Sequence, residues 1–372
     1  MKIWIDGMVY ARSPVGGIRR YFDELLARLP QMDSTAELFV TEASLGSVGV
    51  HDKIHVVPVF SSFQSAVTHP ARTLRSLLKR ARFYRKGPDI FHASYYTKSP
   101  FPKSRNVVTV YDFVDAHHPE LHPNGSAFLA QQRSAIEAAD CVLAISECTR
   151  RDVLKFTDTP PERVRTIKLA AGDIFRTTQV SSEARHLLRD TLCQGNPYWL
   201  FVGRRGSYKN FTRALQAYAA LASSITSHLV ICGPDEPWAS EHQALLDKHD
   251  LKSRVHLLGA VSDQRLVELY AASQLMVYPS LSEGFGIPLL EAMACGTPLA
   301  CSDIPVFREV AGSAAEYFNP LCSDDMAAAL RRAAEPRRSA ELIQQGAARI
   351  TRWPSWNDVA RDTLSVYQQL LT

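Results

Sequence analysis

Two carboxylates, Glu283 and Glu291, flank a glycine-bearing turn in Ser280-Leu281-Ser282-Glu283-Gly284-Phe285-Gly286-Ile287-Pro288-Leu289-Leu290-Glu291-Ala292-Met293-Ala294-Cys295-Gly296-Thr297-Pro298. Gly284 and Gly286 can offer backbone amides to an anion. Pro288 suits the first turn of a helix, and Glu291 is expected within that turn. Such a turn fits a diphosphate, and carboxylates accept hydrogen bonds from sugar hydroxyls. Singly, the acids read equally well as a helix cap and a surface residue; the complete string favours a ligand site.

A second constellation is Phe201-Val202-Gly203-Arg204-Arg205-Gly206-Ser207-Tyr208-Lys209-Asn210. A loop following a strand would aim Arg204 and Lys209 into a cleft, where fixed cations suit the charge developing on a departing diphosphate. Solvated surface charge is the competing reading for Lys209 and the preferred one for Arg205. Near the N-terminus, Gly16-Gly17 separates a short apolar strand from a helical pattern, an arrangement that brings backbone amides to a phosphate. Asp112 ends the strand-like run Asn106 to Tyr111 and reads as a base or positioning group, or as a turn residue. Tyr95 and Tyr96 follow the strand-like run at 89–93, and Tyr111 closes the run at 106–111. His117-His118-Pro119-Glu120-Leu121-His122 lacks the helical H-E-x-x-H spacing of a zinc site, and Pro119 interrupts any helix. No metal site is expected.

The elements that must position these residues alternate along the chain. Strand-like runs cover 2–6, 37–41, 54–59, 89–93, 106–111, 141–145 and 164–169. Helical patterns cover 18–29, 72–85, 126–139 and 147–156. Residues 172–196 are polar apart from one helical stretch and read as a linker. A second series follows, with strands at 198–202, 228–232, 255–257, 275–278, 299–301 and 316–318. Helices are expected at 211–223, 263–272, 288–294 and 324–334. This alternation implies parallel sheets with helices on both faces. Two such domains in tandem would place a ligand between the carboxyl ends of their sheets.

With 372 residues, 46% hydrophobic and 22% charged, the chain has the composition of an ordinary globular protein of about two domains. Lys+Arg 42 against Asp+Glu 38 is too even for a nucleic-acid partner. No run of about 18 apolar residues is present, and Asp6 comes too early for a signal peptide, so a cytoplasmic protein is expected. The 7 cysteines lack a C-x-x-C and read as reduced thiols. Arg72 to Lys86 is basic without an acid. It reads equally as a solvated helix and as a peripheral contact with anionic inner membrane.

Together, the E-x7-E string and the R-x4-K pair closely resemble the retaining glycosyltransferases of family 4, over nearly the whole chain. The resemblance implies an α/β GT-B fold: two Rossmann-like, doubly wound domains facing each other across a cleft. The first would span 1–172 on the acceptor side, with 355–372 returning to it as the last helix, anchored by Trp356. A linker would occupy 173–196, and the donor domain 197–354. Glu283 would contact the transferred sugar and Glu291 the ribose. Gly16, Gly17, Gly284, Phe285, Gly286, Ile287, Arg204 and Lys209 would bind the donor, and Asp112 would join Glu283 as a catalytic residue, a base or a group that positions the acceptor. Many members carry His where this chain has Tyr111, so a histidine role there does not transfer. The implied reaction moves a hexose from GDP-mannose or a UDP-sugar to a glycan or lipid-linked oligosaccharide, without metal or other cofactor. Tyr95-Tyr96 and Tyr111-Asp112 are similar to those of bacterial surface-polysaccharide enzymes, many of them mannosyltransferases, a resemblance that makes Tyr95 and Tyr111 candidates for the acceptor side. Two other classes compete: a nucleotide-sugar epimerase on the same fold, and a non-catalytic partner of another transferase. The absence of D-x-D, G-x-G-x-x-G and P-loop strings argues against other nucleotide enzymes.

Overall fold

A computed structural model describes residues 1–12, 16–33, 37–41, 54–57, 87–121 and 125–372. The basic segment Arg72 to Lys86, with the helix expected in it, lies outside the described residues, as do His122 and the end of the strand expected at 54–59. The described chain divides into two compact units. One contains Met1–Tyr111, Asn124–Leu169 and Trp356–Thr372; the other contains Asp112–Pro123 and Ala170–Ser355.

The first unit is built on β1 (Lys2–Ile5), β2 (Glu37–Thr41), β3 (Ile54–Val57), β4 (Ile90–Ala93), β5 (Arg105–Val110), β6 (Cys141–Ala144) and β7 (Val164–Thr166). All pair in parallel, in the order β3-β2-β1-β4-β5-β6-β7. Strand order reverses between β1 and β4, which opens a crevice at their carboxyl ends. Strands such as Ile90–Ala93 and Cys141–Ala144 are buried along their whole length, because helices cover both faces. The Gly17–Met32 helix buries Tyr21, Phe22, Leu25, Leu26 and Leu29, a stripe at 3–4 residue spacing.

The Trp356–Leu371 helix packs within this unit. Trp356 and Tyr367 are fully buried, and the Trp356 ring lies 6.3 Å from that of Tyr21. His92 on β4 joins the sheet to this helix. Its Nδ1 lies 2.5 Å from the Tyr367 hydroxyl and its Nε2 2.7 Å from Thr109 Oγ1. Complete burial pushes the His92 pKa down to about 3, so the imidazole is a neutral crosslink at pH 7.

The second unit carries β8 (Tyr198–Val202), β9 (His228–Cys232), β10 (Val255–Leu257), β11 (Leu275–Tyr278), β12 (Leu299–Ser302) and β13 (Ala315–Phe318). These form a parallel sheet of order β10-β9-β8-β11-β12-β13, whose reversal lies between β8 and β11. One core joins Trp199, Phe201, Leu215, Tyr218, Ile231, Val277, Met326 and Leu330 from sheet and helices. Across both units, the α/β class with two doubly wound sheets agrees with the sequence.

The segment at 173–196 is not an extended linker. It forms the Asp173–Thr177 and Ser182–Cys193 helices of the second unit. The Phe175 ring packs 6.1 Å from Tyr270, and Arg189 Nε donates to the Ala272 carbonyl at 2.8 Å. Only Phe175, Leu188 and Cys193 of the two helices are buried, so the apolar pattern that reveals a helix is sparse. Residues 112–123, expected in the first domain, group with the second unit, where Leu121 lines a cavity with Phe211 and Leu281. Helices at Met8–Arg12, Ser240–Lys248, Pro305–Ala311 and Pro336–Thr351 were not anticipated.

Candidate active site

The reversal in the second sheet makes β8 and β11 neighbours, so the loops leaving their carboxyl ends are adjacent although 70 or so residues separate them. The loop after β8 ends in a single 3-10 turn, Ser207–Lys209. The loop after β11 carries Ser280 to Gly286. Backbone joins them: Leu281 N–H donates to the Tyr208 carbonyl at 2.7 Å. Asn210, in the left-handed region at φ 57°, clamps the junction by donating to the carbonyls of Pro279 and Pro320, at 3.0 and 2.8 Å.

This juxtaposition brings Lys209 and Glu283 together. Lys209 Nζ donates to Glu283 Oε1 at 2.5 Å, and both side chains are largely buried, at 16% and 12% exposure. The same carboxylate oxygen accepts from Ser280 Oγ at 2.8 Å and Tyr278 Oη at 3.0 Å. Burial opposes the lysine charge, but the Glu283 carboxylate and the Tyr278 and Tyr208 hydroxyls outweigh it and hold the ammonium well above the usual lysine range. Desolvation raises the Tyr208 hydroxyl to about 12. The result is a fixed cation and a fixed carboxylate, each with a defined direction.

Gly284, Phe285 and Gly286 are buried beside this pair and lead into the Ile287–Ala294 helix. Gly286 occupies its N-cap at φ 102°, where a Cβ would also meet the Phe307 ring at 3.0 Å. Glycine is therefore required for the turn that presents the helix N-terminus. Because the helix starts at Ile287, Glu291 falls just beyond its first turn. It is 4% exposed and accepts from Tyr270 Oη at 3.3 Å. A surface role for Glu291 is thereby excluded.

Asp112 turns the chain into the short Val114–His117 helix, accepting from Val114 N–H at 3.1 Å. Burial, reinforced by the charges of Glu283 and Asp115, raises its carboxyl to about 6. Arg204 is 67% exposed, and its Nη1 lies 3.3 Å from Glu236 Oε1. Arg205, expected at the surface, is 4% exposed, with its guanidinium 4.8 Å from the Trp238 ring centroid.

In the first unit, Gly16 is the N-cap of the Gly17–Met32 helix at φ 119°, and both glycines are exposed. Tyr111 is buried. Its hydroxyl donates to the Ser94 carbonyl at 2.9 Å, and its N–H donates to Tyr96 Oη at 3.4 Å. Tyr95 is half-buried, its ring 6.0 Å from Phe128. His118 pairs with Glu120 at 3.0 Å.

Sequence reasoning did not single out Tyr278, Ser280 or Tyr270, the hydroxyls that hold the two acids. Tyr278 and Ser280 carried one usable signal, their place between the strand end and the E-x7-E string. Asp6 was also missed. At the end of β1 it accepts from Ser94 N–H, the Ser94 and Thr97 hydroxyls and Met8 N–H, while burial raises its pKa.

Two doubly wound parallel sheets in one chain, with the acid–lysine pair at the switch point of the second, define a glycosyltransferase of the GT-B fold. Residues 16–170 match the family described as glycosyl transferase 4-like domain, and residues 190–349 match that described as glycosyl transferases group 1. The chain belongs to this family. It is 26% identical over 311 residues to the O-antigen chain mannosyltransferase B of Escherichia coli, covering 81% of this chain and 78% of that one. It is 28% identical over 274 residues to the serotype-specific mannosyltransferase WbdA of Escherichia coli, covering 72% of this chain but 34% of that longer protein. Its fold is similar to that of HepE from Anabaena, solved with UDP and glucose, at TM-score 0.74 and 17% identity over 99% of this chain and 100% of that one. Among the described residues no helix is long and apolar enough to cross a membrane.

Proposed function

We propose that this glycosyltransferase moves mannose from GDP-mannose, with retention of configuration, to a glycan or lipid-linked oligosaccharide in bacterial surface-polysaccharide synthesis. The carrying observation is the Lys209–Glu283 pair beside the buried glycine turn. The names of the two Escherichia coli relatives support mannose as the sugar. The UDP complex of HepE keeps a UDP-sugar as the second reading of the donor.

In this reading the diphosphate lies against the amides of Gly284, Phe285 and Gly286, and Gly16 and Gly17 are further donor-binding groups. Lys209 and Arg204 stabilise the negative charge that grows as the bond from the anomeric carbon to the diphosphate breaks. The acceptor hydroxyl attacks from the same face, and its proton passes to the departing phosphate oxygen. No strong general base is needed for that step. Glu283, fixed by Tyr278 and Ser280, orients the sugar, and Glu291, fixed by Tyr270, holds the ribose. Asp112 positions the incoming hydroxyl, and Tyr95 and Tyr111 are assigned to acceptor binding. The enzyme works on the cytoplasmic face, where nucleotide sugars are made.

The test is transfer from GDP-mannose and from UDP-glucose to lipid-linked oligosaccharide, with Glu283→Gln beside wild type. Mannose transfer that falls by about 10²–10³ in kcat in the variant, with its cooperative melt retained, is the expected result. Wild-type turnover by Glu283→Gln overturns the assignment. Epimerisation of the donor without an acceptor would move the protein to the isomerase class.

A further inference from the structure

At the amino end of the second sheet, opposite the loops that carry Lys209 and Glu283, a thiol and two imidazoles converge. The Cys193 sulfur and one nitrogen each of His228 and His256 all lie within 4.8 Å of one another. Three separate elements supply them. Cys193 ends the Ser182–Cys193 helix, His228 opens β9, and His256 sits at the centre of β10. His256 pairs with Val230, two residues beyond His228, so the alternation of strand side chains puts both imidazoles on one face. Their rings are stacked at an 11° interplanar angle, with His228 Nδ1 2.8 Å from His256 Nε2. One of those nitrogens must be bare to accept that bond, so at least one ring is neutral. Cys193 is fully buried, His228 nearly so, and His256 is half-buried and gives access from solvent.

We propose that Cys193, His228 and His256 form a site for a divalent transition ion, with Zn²⁺ the best fit. One thiolate and two imidazoles are a donor set suited to Zn²⁺, and a water would complete the tetrahedron. Ligand bonds of about 2.3 Å to sulfur and 2.0–2.1 Å to nitrogen require the sulfur to move inward and the two nitrogens to part slightly. Coordination therefore requires a change of Cys193 rotamer and a small rotation of the half-buried His256 ring. Binding exchanges the His–His hydrogen bond for two metal–nitrogen bonds: the proton on the donor nitrogen moves through solvent to the other nitrogen of the same ring, and the Cys193 thiol proton is released to solvent. The Arg254 guanidinium faces His228 and opposes the added charge, but three carbonyls, of Ala222, Ile225 and Ser227, already hold it at 2.6–2.8 Å. The thiolate offsets one of the two metal charges. The ion would staple the end of the Ser182–Cys193 helix to the edge of the sheet, remote from the transfer chemistry.

The experiment is a titration of untagged, metal-free full-length protein with Co²⁺, followed by displacement with Zn²⁺. One equivalent of Co²⁺ should give visible d–d bands of tetrahedral intensity and a near-ultraviolet thiolate charge-transfer band, both abolished by Zn²⁺. Cys193→Ser should remove the charge-transfer band. His256→Ala, at a half-buried position, should weaken binding by more than the roughly tenfold that loss of an outer partner costs, while keeping a cooperative melt. Zn²⁺ should raise the melting temperature of wild type and not of His256→Ala. Absence of a thiolate–cobalt band in wild type overturns the proposal. So does a band that survives in both variants, which would belong to the partly exposed thiols Cys148, Cys295 or Cys322.

Discussion

Single residues carry more than one duty in this protein. Glu283 is held by three donors, so it is fixed in the absence of any ligand, and Lys209 is held by the same carboxylate. Asp112 is the group whose titration is most easily read. Its carboxyl is raised to about 6, against an ordinary aspartate near 4. Between those values the folded protein binds the proton that the unfolded chain releases. Stability contributed by this group therefore falls as pH rises from about 4 to 6 and is lost above that. Asp112→Asn should remove this slope. Urea unfolding of the second unit at pH 4, 5 and 7 should show the variant gaining roughly 1–2 kcal/mol on wild type across the interval, less than the full shift because the carboxyl is partly exposed. A constant difference at all three values would mean that Asp112 titrates normally.

At the scale of elements, loop geometry depends on close backbone approach. Gly233, just after β9, has no room for a side chain: a Cβ there would lie 2.1 Å from the Gly203 carbonyl oxygen, on the loop that leads to Arg204 and Lys209. Gly206, on the same loop, has nothing within 4 Å of its Cβ position. Gly233→Ala should cost about 1–3 kcal/mol or more and weaken nucleotide binding, whereas Gly206→Ala should leave the melting temperature nearly unchanged. Differential scanning calorimetry with nucleotide titration of both variants checks this. Equal behaviour of the two would show that the Gly203 loop yields freely. Most strands of both sheets were legible in the sequence to within a residue or two, because buried parallel strands are continuous apolar runs; β7, buried only at Val164, ends three residues before the expected run. Helices with few buried positions were not. Ser240–Lys248 buries only His242 and Leu246, and Pro336–Thr351 only Leu342 and Gly346, so neither breaks clearly from a polar loop.

For the whole molecule, the GT-B fold and the family membership make a nucleotide the ligand to test first. GDP at 100 times its dissociation constant should add roughly 2.7 kcal/mol of apparent stability, visible as a rise in melting temperature that UDP does not match. The increment should be equal with and without EDTA, even where the chelator lowers both baselines by emptying the Cys193–His228–His256 site. A larger response to UDP would transfer the donor assignment to a UDP-sugar. An increment abolished by EDTA would place a metal at the nucleotide itself.

The candidate site was legible where its groups lie in contiguous residues. The E-x7-E string and the R-x4-K pair need only local backbone, a strand end, a turn and a helix start, and each of those has its own residue signature. What depends on strand order was not legible. Nothing in the sequence states that β8 and β11 are neighbours, so the contact of Lys209 with Glu283 across 74 positions arises only when the sheet assembles. The burial of Arg205 against Trp238, the hydroxyls that hold Glu283 and Glu291, and the convergence of Cys193, His228 and His256 have the same origin. Side-chain type and spacing determined which candidate groups this chain offers. Sheet order decided which of those side chains meet, because a parallel sheet joins residues through long crossovers that local sequence does not encode.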